Sequence, residues 1–133
     1  MSTKNSKPLR LGRIQMDIMG ILWLNGEATA REITDALSVA RPIAHSTVQT
    51  LLRQLESKGA VSHEARDRTF AFRALIARED VASETAKDLL SRLFGGSAFG
   101  LVSHLLEHEE ISDEELERLR ELIEARGAKR DDR

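Results

Sequence analysis

Apolar residues recur every three or four positions over residues 11–24, which predicts an amphipathic first helix. Its predicted buried face consists of Leu11, Ile14, Ile18, Ile21 and Leu22, with Trp23 at its end. Asn25-Gly26 predicts the end of this helix, because glycine is favoured just past a helix. A shorter helix follows, with Thr29 as the expected N-cap and Glu32 completing a capping box. Its predicted buried side is Ile33 and Leu37.

The third predicted helix, from Ala44 to Gly59, has two faces of different chemistry. Its apolar positions are Val48, Leu51, Leu52 and Leu55. The opposite face carries short or planar hydrogen-bonding groups: Ser46, Thr47, Gln49, Thr50 and Arg53. Such a face suits the donors and acceptors on the floor of a DNA major groove. Hydroxyl groups also line ordinary amphipathic helices, so the pattern alone leaves both interpretations open.

After Gly59 the period changes from that of a helix to that of β-strands. Two segments alternate apolar and polar positions, the first through Val61, His63 and Ala65 and the second through Phe70 and Phe72. Three helices followed by a two-stranded hairpin is the order of a winged helix-turn-helix. The predicted fold class is therefore mainly α with a small β-hairpin, followed by a helical region.

The tip of this hairpin is predicted at Arg66-Asp67-Arg68, since aspartate tolerates the left-handed backbone angles of a tight turn. Two arginines on a protruding hairpin are suited to phosphate or minor-groove contact. Exposed arginines on turns are also common in proteins that bind no nucleic acid, and the sequence alone does not decide between the two.

From Arg78 onward the helical period returns in three segments, separated by Phe94-Gly95-Gly96 and by Ser112. Ser97 and Ser112 are the expected N-caps of the second and third segments, and Glu115 would complete a capping box. These helices carry more apolar surface than a solitary helical extension could bury by itself. Pairing with a second copy is the simplest way to bury it, which predicts a homodimer. The predicted dimer contacts are Val81, Thr85, Leu89, Leu93, Leu101, Val102, Leu105, Leu106, Leu119 and Leu122.

The charge distribution supports two regions with different tasks. Residues 1–75 hold eleven Lys or Arg against seven Asp or Glu, a net of +4, whereas residues 76–133 hold nine against fifteen, a net of −6. The first region can meet phosphate, which would repel the second. We predict a winged-helix DNA-binding domain over 1–75 with residues 1–9 disordered, a dimerisation region over 76–126 and a disordered tail over 127–133.

Composition excludes several classes of protein. The chain has no cysteine, so it has neither a disulfide nor a thiolate metal site. No run approaches the roughly 18 apolar residues of a membrane helix, and the polar N-terminus lacks the apolar core of a secretory signal, so a cytoplasmic protein with no membrane insertion is expected. No nucleophile set or phosphate-binding glycine loop is present, which predicts no enzyme and no cofactor.

One competing motif is His104-Leu105-Leu106-Glu107-His108, which fits the H-x-x-E-H pattern of some zinc proteases. His104 and His108 lie four apart on one helical face and are therefore candidate metal ligands. A metal-dependent hydrolase would also need a third ligand and a substrate cleft. A chain of this length with a DNA-reading half leaves little room for either.

Several segments together resemble the penicillinase-repressor (BlaI/MecI/CopY) family of bacterial transcriptional repressors. They are LGRIQMDIMGILWLNGEATAREI, HSTVQTLLRQLESKGAV, RTFAFRAL and LLSRLFGGS, in the family's order over roughly residues 9 to 125. The resemblance implies a homodimer that reads a palindromic operator and represses resistance or stress-response genes. Carried onto this chain, it implies major-groove contacts from the helix His45 to Arg53 and wing contacts at Arg66 and Arg68.

Two departures limit what the resemblance implies about regulation. The copper-responsive branch ends in paired cysteines, and this chain has none. In the beta-lactam branch a membrane-sensor protease triggers cleavage at an Asn-Phe bond, where this chain has His104-Leu105. The inducing signal, the operator sequence and the target genes therefore stay open. The alternative from another class is a winged-helix protein-interaction module, which a weak salt dependence of binding would distinguish from a DNA reader.

Overall fold

The computed structural model describes residues 10–131 of this 133-residue chain. The disorder predicted for residues 1–9, 132 and 133 therefore lies outside the described residues. Contacts divide the chain into two compact units, Met1–Ala86 and Lys87–Arg133. The division falls later than the predicted boundary after residue 75, because Ile76 packs against the core of the first unit and Val81 is buried.

Within the described residues the chain forms six helices and three short strands. In chain order they are α1 Arg13–Asn25, β1 Ala28–Thr29, α2 Ala30–Ser38, α3 His45–Ser57, β2 Val61–Arg66, β3 Thr69–Ala74, α4 Arg78–Leu93, α5 Ala98–His108 and α6 Asp113–Asp131. The mainly helical winged helix-turn-helix predicted from the sequence is confirmed.

The sheet has one more strand than predicted. Its antiparallel order is β1-β3-β2, and β1 pairs Ala28 with Phe72 and Thr29 with Ala71. The predicted two-stranded hairpin is confirmed as β2 with β3, and β1 was not predicted, because two residues are too few to show an alternating pattern. Thr29 also caps α2 as predicted: its Oγ1 accepts from the Glu32 N–H at 3.1 Å, and the Glu32 carboxylate accepts from the Thr29 N–H at 2.9 Å.

The core of the first unit lies between the three-helix bundle and the sheet. Its largest fully buried side chains are Ile18, Met19, Leu22, Ile33, Val48, Leu52, Leu55 and Val61. Other predicted apolar positions are partly buried against this core: Leu11, Ile14, Ile21, Leu37 and Leu51. Gln15, a polar residue, is buried because its amide bonds to the Gly12 N–H and to Gln54 and Lys58 of the α3 end.

The second unit begins within α4 and includes α5 and α6. Gly95 and Gly96 have φ of 58° and 80°, backbone angles that favour glycine, so the helix ends there as predicted. Ser97 and Ser112 cap the next two helices, each accepting a backbone N–H three residues on. The tail predicted as disordered from residue 127 is helical through Asp131, where Lys129 and Arg130 favour the helix C-terminus.

Among residues 10–131, no single helix is both long and apolar enough to cross a membrane, and α4 with α5 reach that length and composition only as a bent pair.

Candidate nucleic-acid interface

Helix α3 buries one face and exposes the other, as its sequence pattern predicts. Val48, Leu52 and Leu55 are fully buried. The predicted reading residues Ser46, Thr47, Gln49, Thr50 and Arg53 are all exposed. The Arg53 guanidinium donates to the Thr50 hydroxyl at 3.3 Å, which keeps its charge close to the helix surface. This face therefore offers donors and acceptors to a partner on its outer side.

The first residue of α3, His45, is held from behind by α2. Its Nδ1 lies 2.8 Å from the hydroxyl oxygen of Thr34, which is buried. No side chain caps α3, because its N-cap is Ala44. The hydrogen bond between Thr34 and His45 joins α2 to the first residue of α3.

A concavity of about 470 Å³ lies between α3 and the hairpin β2–β3. Three arginines from three different elements line it, Arg31 from α2, Arg53 from α3 and Arg68 from the hairpin tip, together with His45 and Gln49. Its rim therefore joins the predicted reading face of α3 to the predicted wing. Glu56 also lines the concavity, so three arginines face one carboxylate and positive charge is in excess. Positive charge in a concave surface attracts polyanions.

The two wing arginines, which the sequence treats as equivalent, differ in the structure. The turn forms as predicted, with Asp67 at φ 57°. Arg66 donates through Nη1 to Glu27 at 2.6 Å and through Nη2 to Glu64 at 3.3 Å. These hydrogen bonds, with Glu27 first, raise the pKa of Arg66. Among residues 10–131, Arg68 has no such carboxylate partner, so of the two wing arginines it is the one whose charge is not balanced by a neighbouring carboxylate.

The base of the wing is fixed to α3 through His63. The His63 Nδ1 lies 2.9 Å from the Glu56 carboxylate, and its ring packs against Phe70 and Phe72 with centroid distances of 4.6 and 5.3 Å. Glu56 belongs to α3 and His63 to β2, so these contacts hold the hairpin at a fixed distance from α3.

Sequence reasoning missed three side chains that shape this surface. Arg31 is an exposed residue of a short helix, and Thr34 and Glu27 look like ordinary helix and loop residues. Their partners lie far along the chain: Glu27 and Arg66 are separated by 39 positions, and Thr34 and His45 by eleven. One feature of the sequence could have pointed to Arg31: it is a basic residue in the first turn of α2, the helix that precedes α3.

The predicted dimer contacts are mostly exposed in the single chain. The exposed ones are Thr85, Leu89, Leu93, Val102, Leu105, Leu106 and Leu122, while Leu101 and Leu119 are partly buried. Val81 is 8% exposed and buried within the first unit, so its assignment to a dimer face is wrong. Phe99 of α5 and Ile123 of α6 were not predicted and are also large exposed apolar side chains.

The histidines of the H-x-x-E-H motif stack on each other instead of converging on a third ligand. Their ring centroids lie 4.2 Å apart, and the His108 ring is bonded through Nδ1 to the His104 carbonyl oxygen at 3.0 Å. In the part of the chain that the structure describes, no group of three potential metal-ligating side chains is found. The geometry gives no support to a metal-dependent hydrolase.

Comparisons with known proteins match nearly the whole chain. A family model described as the penicillinase repressor matches residues 11–125. The methicillin resistance regulatory protein MecI of Mammaliicoccus sciuri is 24% identical over 119 residues, which cover 90% of this chain and 97% of that protein. The penicillinase repressor of Bacillus licheniformis is 26% identical over 110 residues, covering 83% of this chain and 86% of that protein.

Solved structures match in fold. The solution structure of the DNA-binding domain of the repressor BlaI covers 56% of this chain and 90% of that domain, with 26% identity and a TM-score of 0.50. A complex of hsRosR-S4 covers 89% of this chain and 90% of that chain with a TM-score of 0.54. Its identity of 17% makes it a likeness of fold alone.

Proposed function

We propose that this chain, which belongs to the penicillinase repressor family, represses transcription as a homodimer bound to a palindromic operator. Members of the family are transcriptional repressors and not enzymes. The observation that supports the proposal best is the continuous surface formed by the polar face of α3 and the concavity lined by Arg31, Arg53 and Arg68. A protein with this task acts in the cytoplasm, where its operator is.

In the proposed complex α3 lies in the major groove with its outer face against the base edges. The groove of B-DNA admits one helix, and Gln49 and Arg53 carry planar groups that form paired hydrogen bonds with adenine and guanine edges. Arg68 at the wing tip contacts a phosphate. Arg66 holds the wing in place through Glu27 and Glu64, and of the two wing arginines only Arg68 contacts DNA in this proposal.

The second unit supplies the proposed dimer interface. Monomers seldom leave large contiguous apolar patches in water, and α5 and α6 expose Phe99, Val102, Leu106, Leu122 and Ile123. Since residues 76–133 carry a net charge of −6, this region is repelled by DNA and is better suited to join two copies. A symmetric dimer would present two copies of α3 to two half-sites of a palindrome.

We propose resistance or stress-response genes as targets, because the matched relatives are named for methicillin resistance and penicillinase. A membrane-sensor protease stays a proposed regulatory partner. The bond expected at its cleavage position is His104-Leu105, inside α5, so regulation by a different signal is compatible with the same repressor.

The reading role of α3 is tested by Arg53→Ala and Thr47→Ala in the full-length protein. If Arg53 pairs with a guanine edge, its removal should weaken binding by about 1–3 kcal/mol and relax the preference at one base position. Thr47→Ala should cost about 1 kcal/mol, the typical value of one hydrogen bond. Ser57→Ala, at the far end of the same helix, is the matched control. Gel-shift titrations in which all three variants bind like the wild type would exclude α3 as the reading helix.

The wing arginines should differ in their salt dependence. Arg68→Ala should lower affinity for specific and random duplexes alike and reduce the slope of log K against log salt by about 0.9 for each wing. Arg66→Ala should leave that slope unchanged, because its charge is already paired with Glu27 and Glu64. Fluorescence anisotropy at several salt concentrations measures both slopes. An equal loss of slope for the two variants would show that Arg66 leaves its carboxylates to bind DNA.

A further inference from the structure

The Thr34 hydroxyl has two short polar contacts that cannot both be donated. Its Oγ1 lies 2.8 Å from the Ala30 carbonyl oxygen and 2.8 Å from the His45 Nδ1. A hydroxyl carries one hydrogen and accepts through its lone pairs, whereas a carbonyl oxygen only accepts. The hydrogen shared with Ala30 must therefore come from Thr34, as is usual for a threonine within a helix.

The second contact then requires a hydrogen from the histidine. With its own hydrogen given to Ala30, the Thr34 oxygen is an acceptor towards His45, so the His45 Nδ1 carries the hydrogen and donates. A neutral imidazole holds one hydrogen, and the hydrogen bond at one nitrogen fixes the state of the other. Nε2 of a neutral His45 ring is consequently a bare acceptor.

His45 Nε2, the acceptor, belongs to a surface whose other charged groups are mainly arginine donors, at the N-terminus of α3. Thr34 is only 4% exposed and occupies the inner side of the ring, while His45 is partly exposed and lines the concavity. Among residues 10–131, Nε2 has no hydrogen-bond partner of its own. The arginines around it, Arg31, Arg53 and Arg68, only donate. His45 therefore adds an acceptor that the arginines cannot supply.

We propose that Thr34 fixes His45 as the Nδ1-protonated tautomer and that His45 Nε2 thereby selects an amino-bearing base, adenine or cytosine, at one position of each half-site. In the major groove only the adenine N6 and cytosine N4 amino groups donate, whereas guanine and thymine present acceptors at the corresponding edges. This inference rests on the proposed function, since it names what one residue of the reading surface recognises. His45 is the specificity-determining residue, and Thr34 is a positioning residue that never touches DNA.

The tautomer is tested first, without DNA, in the full-length protein. Imidazole nitrogen chemical shifts at about pH 8, where histidine is ordinarily neutral, report which nitrogen carries the hydrogen. The His45 resonances are assigned by their absence from His45→Gln. Wild type and Thr34→Ser should show a protonated Nδ1, and Thr34→Val, which has the same shape without the hydroxyl, should lose this state. A wild-type ring protonated at Nε2, alone or together with Nδ1, would overturn the inference whatever the DNA experiments give.

Base selection is tested with a randomised duplex library. Wild type and Thr34→Ser should enrich adenine or cytosine at one position of each half-site, and Thr34→Val should bind but lose that preference by about three- to tenfold, the effect of one hydrogen bond. If Thr34→Val keeps the preference, His45 does not read through Nε2 and the inference is wrong, while the repressor function stands. If no duplex is enriched by the wild type, the proposed function fails together with base reading, although the tautomer result is unaffected.

Discussion

Full-length protein carrying Val102→Asp and Leu106→Asp should bind its operator at least about a hundredfold more weakly than the wild type. The two residues lie one turn apart on α5 and are already 43% and 48% exposed, so the single chain should tolerate the change. In an apolar dimer interface, each new carboxylate would lose its hydration without a partner. When two winged-helix units are joined in a dimer, binding of the second unit to its half-site is effectively intramolecular, which commonly raises affinity by about 10²-fold or more.

The matched control is His104→Asp with His108→Asp. It places the same two charges one turn apart on the same helix, but on the side that already carries polar residues. Light scattering should show a monomer for the first variant and a dimer for the control, with similar circular dichroism for both. A first variant that stays dimeric, or a monomer that holds the palindrome as tightly as the wild type, would contradict the proposed division of tasks between the two units.

Short-range signals explain why the sequence predicted most of the helices. A capping residue and its partner lie three positions apart, so Thr29 with Glu32 and Ser97 with Gly100 are visible in a local stretch of sequence. The same holds for Asp67 in the turn between β2 and β3. The α3 pattern was also sufficient to place its buried and exposed faces, because a helix repeats every 3.6 residues.

Long-range contacts explain what the sequence did not predict. Strand β1 is defined only by its pairing with β3, more than 40 positions later, and two residues show no period. Gln15 is buried because Gln54 satisfies its amide, which no local pattern indicates. For the same reason, the pairing of Arg66 with Glu27, 39 positions away, is not visible in the local sequence, which predicts a DNA contact for Arg66. The partner of each of these residues is determined by packing of the whole first unit.

A fragment ending after residue 75 should be less stable than one ending after residue 86 by about 3–5 kcal/mol. Three contacts lie beyond residue 75. The indole N–H of Trp23 donates to the Ile76 carbonyl oxygen at 2.9 Å, the Ile76 side chain packs against the core, and Val81 is buried. Full burial of an aliphatic side chain such as Val81 contributes about 1.5–3 kcal/mol, the partly buried Ile76 contributes about half of that, and a lost hydrogen bond costs about 1 kcal/mol.

Because small domains are only marginally stable, this difference should leave the shorter fragment partly unfolded, while residues 1–86 form a folded monomer. Denaturant unfolding followed by circular dichroism measures both. Trp23→Phe in the longer fragment is the control, since it removes the indole donor and keeps an aromatic ring, and it should cost about 1 kcal/mol. Equal unfolding midpoints for the two fragments would mean that the winged-helix unit is complete at residue 75 and that Ile76 and Val81 do not contribute to its stability. If the longer fragment alone is stable, the folded winged-helix unit ends inside α4. The first part of α4 then stabilises the proposed DNA-binding unit, and its second part belongs to the proposed dimerisation region.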